Sequence, residues 1–120
     1  MKKWINMEEI GQLYLEKILV TFDIPILFVC GNGKNKKYLC LNIGNEDGTT
    51  VIAEVGDITL LTMQQNKIAM EAVFRQAIGR KLIIAKYDKN SKKIISEVEN
   101  SEMVAADFLP QKGKFLCEKE

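Results

Sequence analysis

The fold is decided by residues 26–43, which read ILFVCGNGKNKKYLCLNI. The apolar run 26–30 is typical of a strand that is buried on both faces. Residues 31–36 combine glycine, asparagine and lysine, and they predict a tight turn because Gly and Asn adopt positive φ at little cost. Residues 37–43 return as a second strand. The stretch therefore predicts an antiparallel hairpin.

Further strands are predicted on both sides of this hairpin. Residues 12–22 (QLYLEKILVTF) mix apolar and β-branched side chains, which favours a strand, although the apolar spacing also fits a short helix. A turn signal at Asp47-Gly48 precedes residues 49–55 (TTVIAEV), whose β-branched content predicts another strand. Residues 12–55 together indicate an antiparallel meander.

Two helices are predicted in the middle of the chain. Asp57, directly after Gly56, has the side chain of a helix N-cap, and Asn66 is placed to cap a second helix. Gly79 stands where a C-cap glycine is expected for that second helix. Its apolar stripe consists of Met70, Val73, Phe74, Ala77 and Ile78.

The second half of the chain predicts another hairpin, in which residues 82–87 and 93–98 flank a polar loop over 88–92. Residues 102–108 indicate a short helix and residues 114–117 a final short strand. This order predicts one α+β domain over residues 1–120, with a mainly antiparallel sheet of about five to six strands and two central helices packed on one face.

The three cysteines, Cys30, Cys40 and Cys117, are too few and too unevenly spaced for a disulfide framework. A turn over residues 31–36 would set Cys30 opposite Lys37 and Cys40 opposite Leu27. Side chains alternate along a strand, so this register predicts thiols on opposite faces and disfavours a Cys30–Cys40 disulfide.

The composition argues against catalysis. The 120 residues include no histidine, which removes the commonest general base and metal ligand. The carboxylates of Asp47 and Asp57 are explained by a turn and a helix cap. We therefore expect no enzyme activity, no metal and no cofactor. Sparse cysteines, and no apolar stretch long enough for a signal peptide or a membrane span, predict a reduced, cytoplasmic protein.

The net charge of +1 hides an asymmetry. Residues 1–60 carry 6 basic and 8 acidic side chains, whereas residues 61–120 carry 11 basic and 8 acidic ones. The densest basic stretch holds Arg75, Arg80, Lys81, Lys86, Lys89, Lys92 and Lys93, with Asp88 as its one acid.

This basic stretch allows two interpretations. A nucleotide or nucleic-acid sensor would bind phosphate through Arg75, Arg80, Lys81, Lys86 and Lys93. Nucleic-acid sites usually interleave aromatic residues with the basic ones, and Tyr87 is the one aromatic residue of the stretch. The alternative is a solvated hairpin edge that lysines protect against aggregation.

The two polar hairpin loops offer a surface for a protein partner. The Gly31-Asn32-Gly33-Lys34 sequence superficially resembles a phosphate-binding loop, but a strand follows it where such a loop requires a helix. A hairpin turn is the better interpretation. The predicted contact residues are Lys34, Asn35, Lys36, Lys89, Asn90 and Lys92.

Several short motifs resemble a family of small uncharacterised bacterial domains. They are DIPILFVC at residues 23–30, Tyr38-Leu39, Leu109-Pro110 and Lys114-Phe115-Leu116. The resemblance implies a bacterial α+β domain and supplies no active-site residues. Small stand-alone domains of this kind are often accessory, defence or toxin-neutralising proteins.

The function expected from the sequence is that of a non-catalytic, cytosolic protein-binding module of the immunity, antitoxin or phage-defence accessory type. Its partner would be a toxin or defence protein, with no membrane involved. The alternatives are the nucleotide or nucleic-acid sensor and a self-associating structural domain, in which an exposed strand pairs across a two-fold axis. The expected state is a monomer or a homodimer.

Overall fold

The computed structural model describes residues 2–7, 10–22, 24–43, 48–88 and 90–116. Seven antiparallel strands form one sheet, in which each strand pairs with its neighbour in the chain. The Cα radius of gyration is 13.6 Å, the value expected for one compact domain of about this length. The strands are β1 (Lys2–Met7), β2 (Gly11–Phe22), β3 (Ile24–Gly31), β4 (Lys37–Asn42), β5 (Thr50–Val55), β6 (Lys81–Asp88) and β7 (Lys93–Asn100).

Two helices, α1 (Asp57–Gln64) and α2 (Met70–Arg75), connect β5 to β6 and pack on one face of the sheet. The predicted α+β class is confirmed. The sheet also contains β1, a strand that was not predicted. This six-residue segment begins with two lysines and has weak β signals of its own, and its pairing with β2 holds it in the sheet.

Both faces of the central strands are buried. On the helix face, Leu27 and Val29 join a core that includes Met63, Val73 and Phe74 of the helices. We call the opposite side the second face. It carries an apolar cluster of Leu13, Phe28, Cys30, Tyr38, Cys40, Ile52, Ile83 and Ala85. This arrangement explains why residues 26–30 form an unbroken apolar run.

The predicted register of the β3–β4 hairpin is wrong by one residue. Gly31 belongs to the ladder and pairs with Lys37, so Cys30 lies opposite Tyr38 and Cys40 lies opposite Phe28. A shift of one residue moves a side chain to the other face. Both cysteines therefore lie on the second face, where they are buried, free thiols.

Asn32 explains where the turn begins. Its side-chain oxygen accepts hydrogen bonds from the backbone N–H groups of Lys34 at 3.0 Å and Lys36 at 3.2 Å. Its own N–H donates to the carbonyl oxygen of Lys36 at 3.2 Å. These bonds close a turn over residues 32–36 and leave Gly31 in the strand.

The predicted helix caps are displaced along the chain. Gly56 is the N-cap of α1 and Asp57 its first helical residue. Asn66 does not cap α2, since Ala69 is its N-cap; Asn66 instead adopts a φ of 59° in the turn after α1. Gly79, with a φ of 76°, lies in a 3-10 turn beyond the end of α2. The three residues predicted as caps do lie near helix ends or turns, but none of them occupies the cap position predicted for it.

The C-terminal segment is less regular than predicted. The expected helix over residues 102–108 is reduced to one 3-10 turn, Ala106–Phe108. Residues 114–116 form no strand, and Cys117 lies outside the described residues. Hydrogen bonds anchor the segment instead, among them one of 2.9 Å from the N–H of Met70 to the carbonyl oxygen of Lys114.

Candidate binding surface at the edge of the sheet

The two loops predicted to bind a partner lie at opposite ends of the sheet. The turn over residues 32–36 joins β3 to β4 beside the end of β5, because Lys37 pairs with Val55. The loop between β6 and β7 follows Asp88 at the other end, where β5 begins. Lys34, Asn35 and Lys36 are therefore not brought together with Asn90 and Lys92. The remaining predicted contact, Lys89, lies outside the described residues.

The loop between β6 and β7 is an ordered turn built on one carboxylate. Asp88 accepts hydrogen bonds from the hydroxyl of Ser91 at 2.7 Å and from the backbone N–H groups of Ser91 and Asn90 at 3.2 and 3.3 Å. The Ser91 hydroxyl, followed by the N–H of Asn90, lowers the pKa of Asp88. Asn90 and Lys92 are exposed on this turn, next to the start of β7.

Arg75, predicted to bind phosphate, is occupied with the protein's own backbone. Its Nη1 donates to the carbonyl oxygens of Ser101 and Glu102, both at 3.1 Å, and of Val104 at 2.8 Å. Its Nε lies 3.4 Å from the Glu71 carboxylate. The hydroxyl of Ser101 donates in return to the carbonyl oxygen of Arg75 at 2.8 Å. Arg75 therefore fixes the C-terminal segment to α2.

The other predicted phosphate ligands are spread over different surfaces. Lys81 lies on the second face, whereas Lys86 and Lys93 lie on the helix face, because side chains alternate along β6 and β7. Arg80 is exposed in the 3-10 turn and lies 3.9 Å from the Glu102 carboxylate. The structure does not assemble the five cations into one basic site.

The strand β7 lies at an edge of the sheet and presents an open surface for binding. It is the last strand in the order and pairs with β6 through eight consecutive register positions without a bulge. Among the strands that the structure describes, none pairs with its outer edge. The side chains of Ile94, Ile95 and Val98 remain 43%, 42% and 49% exposed. An open, regular strand with exposed β-branched residues is a template for pairing with another strand.

The two faces of β7 differ in chemistry. Ile94 and Val98 lie on the second face, where Tyr87 and Ile83 are their cross-strand neighbours. Val98 also lines a cleft of about 400 Å³ whose walls include Tyr38 and Ile83. Burial, and then the Glu54 carboxylate, raise the pKa of Tyr38 in this cleft.

The helix face of β7 carries charge. This face presents Lys93, Ile95, Glu97 and Glu99, whereas Ile94, Ser96 and Val98 lie on the second face. Of the helix-face residues, Ile95, Glu97 and Glu99 line a smaller cleft of about 240 Å³ with Phe108. Within the part of the chain that the structure describes, no ion pair of 4.0 Å or less involves Lys93, Glu97 or Glu99. These three charges are available to a partner.

The sequence did not single out β7 as a site, although a strand was correctly predicted over residues 93–98, two residues short of its observed end at Asn100. A strand at the edge of a sheet and one in its interior share β-branched content. The signal that distinguishes β7 is its charge at alternate positions, since charged side chains are common on edge strands.

The described residues contain neither a cluster of metal-binding side chains nor a candidate membrane-spanning helix. No group of three or more His, Cys, Asp or Glu side chains there could hold a metal ion. No helix among them is long and apolar enough to cross a membrane. Comparison of the chain with protein-family models, curated proteins and solved structures gave no match.

Proposed function

We propose that the protein is a non-catalytic protein-binding module that binds an extended strand of its partner at the open edge of β7. The observation that carries this proposal is the unpaired edge with its exposed side chains Ile94, Ile95 and Val98. In strand addition, main-chain hydrogen bonds supply affinity and alternate side chains supply specificity.

The exposed side chains favour such pairing energetically. Full burial of a Val or Ile side chain is worth about 1.5–3 kcal/mol. Because Ile94, Ile95 and Val98 are each a little under half exposed, covering them contributes about 1 kcal/mol apiece. The main-chain hydrogen bonds add to this gain.

The partner class follows from the sequence. The resemblance to small bacterial domains, and a composition without a catalytic set, support a cytoplasmic immunity, antitoxin or defence accessory protein whose partner is a toxin or defence protein. Asn90 and Lys92 adjoin β7 and belong to the proposed surface. Lys34, Asn35 and Lys36 lie at the other end of the sheet and do not.

Co-expression with the product of the neighbouring gene tests this function. We expect the partner to co-purify with the wild type but not with Val98→Lys. The lysine would place a charge in the apolar strip that Ile94 and Val98 form on the second face of β7. Ile58→Lys is the matched control, since Ile58 is 81% exposed on α1 and distant from the edge in the fold. Retention of the partner by Val98→Lys at wild-type level would contradict the proposal.

A further inference from the structure

We propose that the strand bound by β7 is β7 of a second copy of the chain, paired antiparallel about a two-fold axis at Ser96. The inference rests on the proposed function in one respect, because it uses the same open edge. It concerns the protein without its partner, in which a second copy occupies the edge that the partner's strand would take, and it adds the register of that pairing. The argument depends on symmetry and on the order of side chains along one strand.

Symmetry limits the registers that two copies can adopt. Two antiparallel edge strands in one continuous sheet are related by a two-fold axis perpendicular to that sheet. Such an axis leaves each face on its own side, so a residue on the second face meets only second-face residues of the partner. Side chains alternate along a strand, so an axis between two residues would set opposite faces against each other. The axis must therefore pass through a residue, and the central candidates are Ile95, Ser96 and Glu97.

The axis at Ser96 gives the best matched pairs. Lys93 lies opposite the partner's Glu99, and symmetry makes this ion pair twice. Ile94 lies opposite the partner's Val98, which covers exposed apolar side chains on the second face. Opposite charges and apolar pairs at directly facing positions stabilise a ladder. Ile95 lies opposite the partner's Glu97, which is the mismatched pair of this register. The paired segment extends over residues 93–99.

The two rival registers are poorer. An axis at Glu97 sets this carboxylate directly against its own copy, and like charges at facing positions are destabilising. An axis at Ile95 still pairs Lys93 with the partner's Glu97. It also sets Ile94 against Ser96 and shortens the paired segment to residues 93–97. The axis at Ile95 does set Ile95 against its own copy, but the axis at Ser96 gives the longer paired segment and covers Ile94 and Val98 at both symmetric positions.

The Ser96 register also accounts for side chains that are otherwise unexplained in the single chain. Ile94 would lie between its own neighbour Tyr87 and the partner's Val98, so the apolar strip on the second face would continue across the axis. Lys93 would lie between Asp88 of its own hairpin and the partner's Glu99. The same arrangement thus gives matched partners to two exposed apolar residues, Ile94 and Val98, and to two free charges, Lys93 and Glu99.

A charge exchange between two variants tests the pairing. Lys93→Glu alone sets two carboxylates against each other at both symmetric positions, and Glu99→Lys alone sets two ammonium groups there. We expect each variant to dimerise at least about tenfold more weakly than the wild type in sedimentation equilibrium. Mixing the two restores opposite charges at both positions, so a heterodimer of near wild-type affinity is expected. Restored association also shows that both variants are folded.

A second mixture tests the register. Lys93→Glu with Glu97→Lys restores both ion pairs if the axis lies at Ile95, but leaves one repulsive pair if it lies at Ser96. We expect this mixture to associate more weakly than the first. Equal or stronger association would overturn the Ser96 register.

The outcomes separate the inference from the proposed function. A wild type that stays monomeric at the highest soluble concentration overturns the second copy as occupant. So does a dimer that persists unchanged in Val98→Lys and in both charge variants. The proposed function fails on a different result, namely retention of the neighbouring gene product by Val98→Lys. A monomer whose partner binding depends on Val98 would uphold the function and reject the inference.

Discussion

At the scale of single residues, the structure reassigns Arg75 and Cys40. The sequence shows Arg75 as part of a basic stretch, yet its guanidinium bonds three backbone carbonyls of residues 101–104. Cys40, predicted on the face opposite Cys30, shares a buried cluster with it. The role of Arg75 depends on contact with a segment that is distant in the sequence, and the face of Cys40 depends on the register of the β3–β4 hairpin.

Arg75→Ala should destabilise the fold by about 2–4 kcal/mol, because it leaves partly buried carbonyl groups without a donor. Arg80→Ala is the matched control. The Arg80 side chain is 77% exposed, and such surface ion pairs contribute about 0–1 kcal/mol. Urea unfolding of both variants measures the difference. Equal losses of stability would show that the Arg75 hydrogen bonds contribute nothing special.

Burial, and then contact with Cys30, raise the pKa of the Cys40 thiol. The unfolded chain therefore loses this proton at a lower pH than the folded chain does. Stability should be unaffected by Cys40 below the usual thiol pKa of about 8.5 and should fall above it, by up to about 1.4 kcal/mol per pH unit. Urea unfolding from pH 7 to pH 10 should show a shallower fall for Cys40→Ala. Parallel pH profiles would contradict this assignment.

At the scale of elements, hairpins were predictable and registers were not. The strands over residues 12–22, 82–87 and 93–98 were confirmed because β-branched content and turn residues are local signals. The β3–β4 register failed because it depends on where Asn32 closes the turn. The cap assignment of Asn66 failed because a positive φ suits a turn after one helix as well as the start of another.

The turn itself can be tested at Asn32. Asn32→Ala removes the acceptor for the N–H groups of Lys34 and Lys36 and should cost about 1 kcal/mol of stability. Asn35→Ala, in the same turn, is the control, since Asn35 forms no side-chain hydrogen bond among those seen in the described part of the chain. Thermal or urea unfolding compares the two. Equal effects would show that the turn does not depend on Asn32.

At the scale of the whole molecule, charge and surface were the least predictable features. The excess of cations between residues 75 and 93 suggested one basic face. The fold distributes those in the described part of the chain over both faces and both ends of the sheet. The open edge of β7 emerges only when the strand order is known. The proposed dimer belongs to this scale, since it follows from which strand ends the sheet.

The strand order has a further consequence, for the way the chain folds. Each strand pairs with the one before it, so most hairpins close over short loops and cost little loop-closure entropy. The exception is the β5–β6 pairing, which must close over the helical segment 56–80. Hairpins β2 to β5 can therefore form early, as synthesis proceeds. The β6–β7 hairpin also closes over a short loop, and it joins the rest of the sheet when the β5–β6 pairing closes over the helical segment.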